Sequence, residues 1–460
     1  MAGYAYSFPF LTQGIRKFYS SSSAGDNFYK NPGLQDLNSA QLALAKAILE
    51  YQPVTSYSES FRKLANGVFQ AEGCVSAWFN GGSLTVSPVV NLGQIYSLES
   101  QSFFVRLYHE LGKIGKLDVR ISSSGKVFIV WHLTNWDLIL SVVLRYFSGV
   151  YGEKYRAFII LEYIYKLKFN LSNDENKILL VKLVYSLTSA GKSRKLSQEE
   201  KLNSLNLVDL KPKLDIYYPE NSESPSFLFI LGFLLGDGSI YIRIRMGKSG
   251  SPSFIPNIIL YQKADTNSTL IFELLSKYLK SLGVKSLVIA ANKTGQTSLR
   301  IEGVLALGLL IPLFREYSSL GYWKSKSINM LLDFYQYHIA GAHTYLNGLN
   351  AVVDLLYKDP NNRTKTLEEW KEVVKNYFSH VDSKYQSGFQ FITPITKSKQ
   401  HVGWIVSLSD KLVEVNGQKL SKIKNKSFLF STYGSDSKAL EAASHYRDSV
   451  LDSHLKELTS

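Results

Sequence analysis

The chain has a single cysteine, Cys74, among its 460 residues. That excludes an intrachain disulfide and any zinc site built from several thiolates. Its eight histidines form no close pair at metal-ligand spacing. Long hydrophobic runs are missing too. The richest, Phe227–Leu235 and Val304–Phe314, fall short of the roughly 20 residues that cross a bilayer. Both read as core helices, and no membrane partner is expected. Ala190-Gly191-Lys192-Ser193 and Gly247-Lys248-Ser249 lack the glycine that opens a phosphate-binding loop, which argues against an NTPase. No acid precedes Asp26, while Arg16, Lys17 and the run Ser20–Ser23 do. This fits a transit peptide, and equally a leader on a protein made inside an organelle. Mitochondrial placement is the expectation, with chloroplast the alternative.

Positive charge is plentiful. Lysine and arginine number 52 against 38 acids, a net charge of +14, with a pI near 9.3. Such a balance favours an anionic partner, nucleic acid before membrane surface. Apolar residues make up 45% of the chain, ample for real cores, and the length allows two or three domains at about 150 residues each.

One stretch organises the rest. Phe227–Asp237 is an apolar segment with Gly232 and Gly236 four residues apart, ending on Asp237 between Gly236 and Gly238. On a helix, positions i and i+4 share a face, so the glycines leave a bare stripe for a close helix partner. Leu64–Gly73 matches it, with Gly67 and Ala71 in the stripe and Glu72 where Asp237 stands. A carboxylate in a helix's last turn opposes the macrodipole by roughly 0.3–1 kcal/mol. Two of them at the ends of touching helices also repel. Bound divalent cations relieve both problems, since hard cations take carboxylate oxygens. The plainer reading of either segment alone is a core helix with an acid at its exposed tip.

The order of elements repeats. Ser60 is a candidate cap for the first motif helix, after a helix over Leu37–Leu49. Strands Cys74–Phe79 and Leu84–Gly93, a helix Ser100–Leu111, strands Leu117–Ile121 and Lys126–Leu133, and helices Trp136–Phe147 and Lys154–Leu167 then follow. After the polar, basic stretch 169–226 and the second motif helix come strands Ser239–Met246 and Asn257–Lys263. The helix Ser268–Leu282, strands Ser286–Ala291 and Ser298–Glu302, and helices Val304–Glu316 and Lys324–Ala340 complete the second copy. Landmarks recur in register: Gln94, Leu111-Gly112, Phe147 and Lys154 after Glu72, and Gln262, Leu282-Gly283, Phe314 and Lys324 after Asp237. This is an internal duplication, the single-chain version of a symmetric dimer. A monomer with internal pseudo-two-fold symmetry is expected.

These residues resemble the LAGLIDADG homing endonucleases of the kind with two motifs in one chain. The matches are LANGVFQAEG and ILGFLLGDG, the glutamines in VNLGQ and ILYQK, and the lysines in GVYGEKYRAF and LGYWKSKSIN. The resemblance implies an α+β fold of two αββαββα halves packed through their motif helices. Each half's sheet would lie in a DNA major groove. Glu72 and Asp237 would bind magnesium or manganese and each cleave one strand. Lys154 and Lys324 would stabilise transition-state charge, and Gln94 and Gln262 would position water. The implied function is a site-specific endonuclease making a double-strand break in a long asymmetric duplex target, in support of intron homing. The first motif departs from the family name at Asn66 and Gln70, both expected on faces that tolerate change. An RNA-binding intron maturase on the same scaffold, with intron RNA as partner and the acids idle, is the rival reading. A nucleic-acid-binding protein without cleavage is another.

The resulting division is a leader over 1–36, repeats over 37–168 and 227–345, a linker over 169–226 and a C-terminal α+β extension over 346–460. Strand period puts Tyr241, Arg243 and Arg245 on one face of Ile240–Arg245. That face suits guanine edges or phosphates. Arg120 and Arg300 are further candidates. In the extension, Thr366 and Glu369 form a capping box, Trp404–Leu408, Leu412–Asn416 and Ser427–Thr432 read as strands, and Ser437–Leu455 reads as a helix. Three strands and a helix are similar to the AP2-type DNA-binding module, but an accessory basic domain of no known type is the preferred reading.

Overall fold

Two helices cross at the centre of the molecule, α2 (Glu59–Glu72) and α8 (Phe227–Asp237). The structure, a computed structural model, describes residues 32–52, 58–122, 124–187, 196–208, 221, 223–246, 252–263, 266–289, 295–339, 342–344, 346–358, 365–381, 392–397, 400–406 and 426–459. Serine starts both central helices in the same way. Ser58 Oγ accepts from the Phe61 amide and Ser226 Oγ from the Phe229 amide, each at 3.2 Å. Ser58 therefore takes the capping role expected of Ser60, which lies inside the helix. A side-chain oxygen at this position satisfies one of the free amides of the first turn.

The small residues explain why these helices touch. A Cβ on Gly67 would stand 2.0 Å from the Phe229 carbonyl oxygen, and one on Gly232 would stand 2.0 Å from that of Leu64. At Gly236 a Cβ would meet Ala71 Cβ at 2.4 Å. Gly67, Ala71, Gly232 and Gly236 thus line one backbone-to-backbone seam.

Each central helix leads into a four-stranded antiparallel sheet. The first has β1 (Cys74–Phe79), β2 (Val86–Ile95), β3 (Lys116–Ile121) and β4 (Val127–Leu133), in the order β1-β2-β4-β3. The second has β5 (Gly238–Met246), β6 (Pro252–Lys263), β7 (Leu287–Ile289) and β8 (Gln296–Glu302), in the equivalent order β5-β6-β8-β7. Helix α3 (Leu98–Glu110) in the first half and α9 (Thr266–Ser281) in the second pack on the inner faces. The fold class is α+β, built as two pseudo-symmetric αββαββα halves. Ala77, Val90 and Ile129 from one sheet and Ile242, Ile258 and Leu299 from the other join one continuous core with the helices.

The segment expected as one helix over Trp136–Phe147 is interrupted. Helical turns Trp136–Leu138 and Leu144–Tyr146 flank a π-helical turn at Ile139–Val143, and the three pieces form α4. Helix α5 (Gly152–Leu167) follows. Ahead of the first repeat, α1 (Pro32–Glu50) begins earlier than the expected Leu37 and packs on the first half. There Gln41 Nε2 donates to the Val119 carbonyl at 3.4 Å. The part of the expected leader before Pro32 lies outside the described residues. The stretch 169–226 contributes α6 (Asp174–Ser186) and α7 (Gln198–Asn203). From α7 the buried Lys201 donates to the carbonyls of Gly82 and Ser83, at 2.9 and 3.1 Å, and so holds the β1–β2 hairpin tip.

After β8 come α10 (Val304–Glu316), a short 3-10 turn Tyr322–Lys324, and α11 (Ser325–Ile339). The C-terminal extension then adds α12 (Leu346–Tyr357) and α13 (Leu367–Val381). The capping box at the start of α13 is present: the Thr366 amide donates to Glu369 at 2.6 Å and the Glu369 amide to Thr366 at 3.1 Å. A three-stranded sheet of β9 (Ile392–Lys397), β10 (Gln400–Val406) and β11 (Lys426–Leu429) packs against α15 (Asp436–Thr459), with the short α14 (Phe430–Tyr433) between. The expected strand Leu412–Asn416 lies outside the described residues, and Ile392–Lys397 is a strand that was not foreseen. The expected strand over Ser427–Thr432 stops at Leu429, where the chain turns helical. Among the described residues, no helix is long and apolar enough to cross a membrane.

Candidate active site

Glu72 and Asp237 end the two central helices, and the crossing brings them close enough to interact. Burial raises the Glu72 carboxyl above its usual range, with the negative charge of Asp237 as the second cause. Lys324, a hydrogen bond from Gln94 and Lys154 act in the opposite direction. Asp237 is likewise raised by burial, with Lys154 and Lys324 opposing. Each carboxylate therefore feels both lysines, so the two pseudo-equivalent sets of residues form one site.

The lysines are placed alike. Lys154 Nζ donates to the carbonyl of Gly73, the residue after Glu72. Lys324 Nζ donates to the carbonyl of Gly238, the residue after Asp237, and to those of Leu234 at 2.5 Å and Gly236 at 3.1 Å. A cation suits the negative end of a helix, where carbonyls lack intrahelical partners. Desolvation is the opposing force. It pushes Lys154 down, and it pushes Lys324 down to about 8.

Strand register brings in the glutamines. Leu260 faces Gly238, and Gln262 lies two residues further along β6, beside the end of α8. Cys74 faces Asn91, so Leu92 lies level with Gly73 and Gln94 has the matching place beside α2. Gln94 lies near enough to Glu72 to lower its carboxyl's pKa, and its Oε1 accepts from the Ile95 amide at 2.8 Å. Gln262 Oε1 is buried with no partner among the protein atoms.

The loops that carry the lysines are clamped across the halves. Tyr151, just before α5, packs edge-on against Phe229 of α8 at 5.0 Å. Tyr322, two residues before Lys324, packs on Phe103 at 5.4 Å and Phe61 of α2 at 6.5 Å. Phe61 and Phe229 occupy the same place in their helices, three residues after the capping serine. Tyr322 holds φ at 40°, a left-handed backbone that is uncommon for a bulky residue and persists only when its surroundings fix it. Trp323 Nε1 donates to the Leu235 carbonyl at 2.7 Å.

Asn66 and Gln70 overturn the expectation that they lie on faces tolerant of change. Both are buried. Asn66 Nδ2 donates to the carbonyls of Arg62 at 2.7 Å and Tyr146 at 3.0 Å. Gln70 Oε1 accepts from the Tyr151 amide at 2.7 Å, tying α2 to the loop that carries Lys154. Two polar residues inside Leu64–Ala71, a stretch otherwise of apolar and small residues, were the available signal, because buried polar groups are almost always hydrogen-bonded.

The nucleic-acid candidates lie elsewhere, on the outer sheet faces. Tyr241, Arg243 and Arg245 are exposed on β5, alternating with the buried Ile242. Arg120 is exposed on β3 and within 3.6 Å of Asp118. Arg300 is half-buried on β8, opposite Ile259, with Nε lacking a partner.

Among solved structures, the chain is similar to the meganuclease I-SmaMI bound to uncleaveable DNA with a TTGT central four. Identity is 17% and the TM-score 0.51, over 67% of this chain and 99% of that one. The I-SmaMI LAGLIDADG homing endonuclease bound to cleaved DNA is similar at 16% identity and a TM-score of 0.51, over 65% of this chain and 96% of that one. The fold is that of the LAGLIDADG homing endonucleases. A third structure with this homing endonuclease fold, I-SmaMI bound to an uncleaved DNA target in the presence of calcium ions, matches at 16% identity and a TM-score of 0.51, over 65% of this chain and 99% of that one. No family model and no curated protein matches the chain.

The residues at the crossing of this homing endonuclease fold suit a hard divalent cation. Both carboxylates are partly desolvated, the charge of Asp237 raises the proton affinity of Glu72 further, and an orphaned amide oxygen, Gln262 Oε1, is carried beside the end of α8. All are oxygen donors of the type magnesium, manganese or calcium accepts. Among the described residues, no group of three or more His, Cys, Asp or Glu forms a ligand cage. The donor set leaves room for water and substrate oxygens, which is how magnesium is usually held.

Proposed function

We propose that this protein is a site-specific DNA endonuclease that makes a double-strand break in a long asymmetric duplex target by metal-dependent phosphodiester hydrolysis. The observation that carries the reading is the convergence of Glu72 and Asp237, each with its lysine and glutamine, at the ends of the crossed helices. Its two pseudo-equivalent sets of residues match the two phosphate backbones of a duplex. DNA-bound structures of I-SmaMI, which share this fold, support duplex DNA as the partner.

Each group has a task. Glu72 and Asp237 would hold magnesium or manganese, which when bound would neutralise charge on the phosphate and lower the pKa of water. Lys154 and Lys324 face developing negative charge from positions fixed by helix-end carbonyls. Lys324, with its pKa near 8, is mainly cationic at neutral pH. Gln94 and Gln262 orient water. The outer sheet faces hold the duplex by phosphate and base contacts. Action as a monomer, intron homing and a mitochondrial setting belong to the same proposal, the last resting on N-terminal composition alone.

The test is a selection of cleaved duplexes from a randomised pool with magnesium, followed by cleavage of the recovered site by the parent, Glu72→Gln and Asp237→Asn. The reading expects a recovered site that only the parent breaks on both strands. Absence of any cut site, together with rescue of intron splicing, would transfer the scaffold to the maturase reading.

A further inference from the structure

The two sheets present unlike faces to the outside. Burial fixes which side chains point to the helices, and strand alternation sends the other set outward. In the first sheet, register pairs Ser87 with Trp78, Val130 with Gly93, and Phe128 with both Ile95 and Arg120. Trp78, Ile95, Phe128 and Val130 therefore share the outer face, and Trp78 and Ile95 are 43% and 48% exposed. The two cations on that face, Lys116 and Arg120, share one acid, Asp118. Asp118 lies 2.9 Å from Lys116 and 3.6 Å from Arg120, and Arg120 Nη2 lies 3.1 Å from His132 Nδ1.

The outer face of the second sheet is basic. Tyr241 pairs with Asn257, Arg243 with Ile255, and Arg245 with Ser253 on β6, and Lys263 lies further along the same face. Arg300 and Glu302 join it from β8. Among the described residues, no ion pair engages Arg243, Arg245 or Lys263, so their donors are available to a ligand. Apolar groups on this face are the half-buried Ile255 beside Arg243 and, on the edge strand, the exposed Leu287 and half-buried Ile289.

The chemistry of these faces selects different base edges. Arginine pairs bidentately with guanine O6 and N7, and apolar groups contact the thymine methyl. We infer that the two halves read half-sites of different composition: the first selects thymines by their methyl groups, through Trp78, Ile95, Phe128 and Val130, and the second selects guanines through Arg243 and Arg245. The inference rests on the endonuclease reading, because it takes both outer faces as groove-facing.

The full chain is used to select binding sites from a randomised duplex pool, and modified bases are then placed in the recovered site. One half should be enriched in A·T pairs and the other in G·C pairs. Deoxyuridine in place of thymidine removes the methyl and keeps the pairing. It should weaken binding several-fold in the A·T-rich half, and Val130→Ser or Ile95→Ser should abolish that sensitivity. Deaza-guanine lacking N7 should weaken binding in the other half, and Arg243→Ala or Arg245→Ala should remove the preference for guanine there. A specific, cleaved site with no difference between halves, or equal sensitivity to uracil in both, overturns the inference and leaves the nuclease intact. Failure to recover any specific site overturns both.

Discussion

Gly67 and Gly232 meet at the helix crossing with no room for a side chain on either. A methyl group on Gly232 would stand 3.0 Å from Gly67 Cα and 2.0 Å from the Leu64 carbonyl oxygen. The obstacle is backbone, so no side chain can turn away. Gly232→Ala should cost about 1–3 kcal/mol, and Gly232→Leu more. Urea unfolding of both variants checks this; midpoints equal to that of the parent would contradict the packing.

Gln70 should matter through one hydrogen bond. Its side-chain oxygen is the acceptor for the Tyr151 amide at 2.7 Å. Gln70→Leu strands that donor in the interior, at a cost of about 1–3 kcal/mol. Because Tyr151 leads into the helix bearing Lys154, cleavage should slow as well. Unfolding and single-turnover cleavage, measured together, check both effects.

The duplication was legible because its landmarks are chemically unusual. Acids at helix ends, glycines four apart and the recurring glutamine and lysine each survive as a residue type and need no structure to be seen. Less legible was what depends on register and on contacts between distant segments. Arg243 and Arg245 announce themselves by alternation along one strand. That Phe128 and Ile95 share an outer face appears only once β2 and β4 are paired. Asn66 and Gln70 were read from their departure from a motif and not from their surroundings, which are the carbonyls of Arg62 and Tyr146 and the amide of Tyr151. The π turn at Ile139–Val143 has no sequence signal that we can identify.

His343 should make stability depend on pH. Its ring stacks on His338 at 4.1 Å and 13°. Burial, then the charge of His338, hold its pKa down to about 4, against an ordinary 6.5. The folded state therefore keeps His343 neutral where the unfolded chain takes up a proton. Its contribution to stability is present above pH 6.5 and is lost as pH falls from 6.5 toward 4. Urea unfolding at pH 7 and pH 5, for the parent and His343→Phe, isolates this, because the other titrating groups are common to both. The variant should lose less stability on acidification; an unchanged pH difference would contradict the assignment.

The carboxylates should give a metal signature independent of cleavage. Both pKa values are raised in the fold. An acid with a raised folded pKa lowers stability as pH rises through its unfolded value, and the loss persists at neutral pH. Without metal, Glu72→Gln should therefore melt at or above the parent. Magnesium should raise the parent's melting temperature through binding to the folded state, and should do so less for Glu72→Gln. Equal shifts in both proteins, or none in either, would contradict the assigned metal site.

Strand-labelled single-turnover cleavage of the selected target, by the parent, Glu72→Gln and Asp237→Asn, tests the central claim most directly. The parent should cut both strands with magnesium, at unequal rates, because the halves differ in their acid and in its neighbours. Each variant should bind the target and fail to make the double-strand break. Double-strand breaks at the parental rate by both variants, with or without magnesium, would contradict the account.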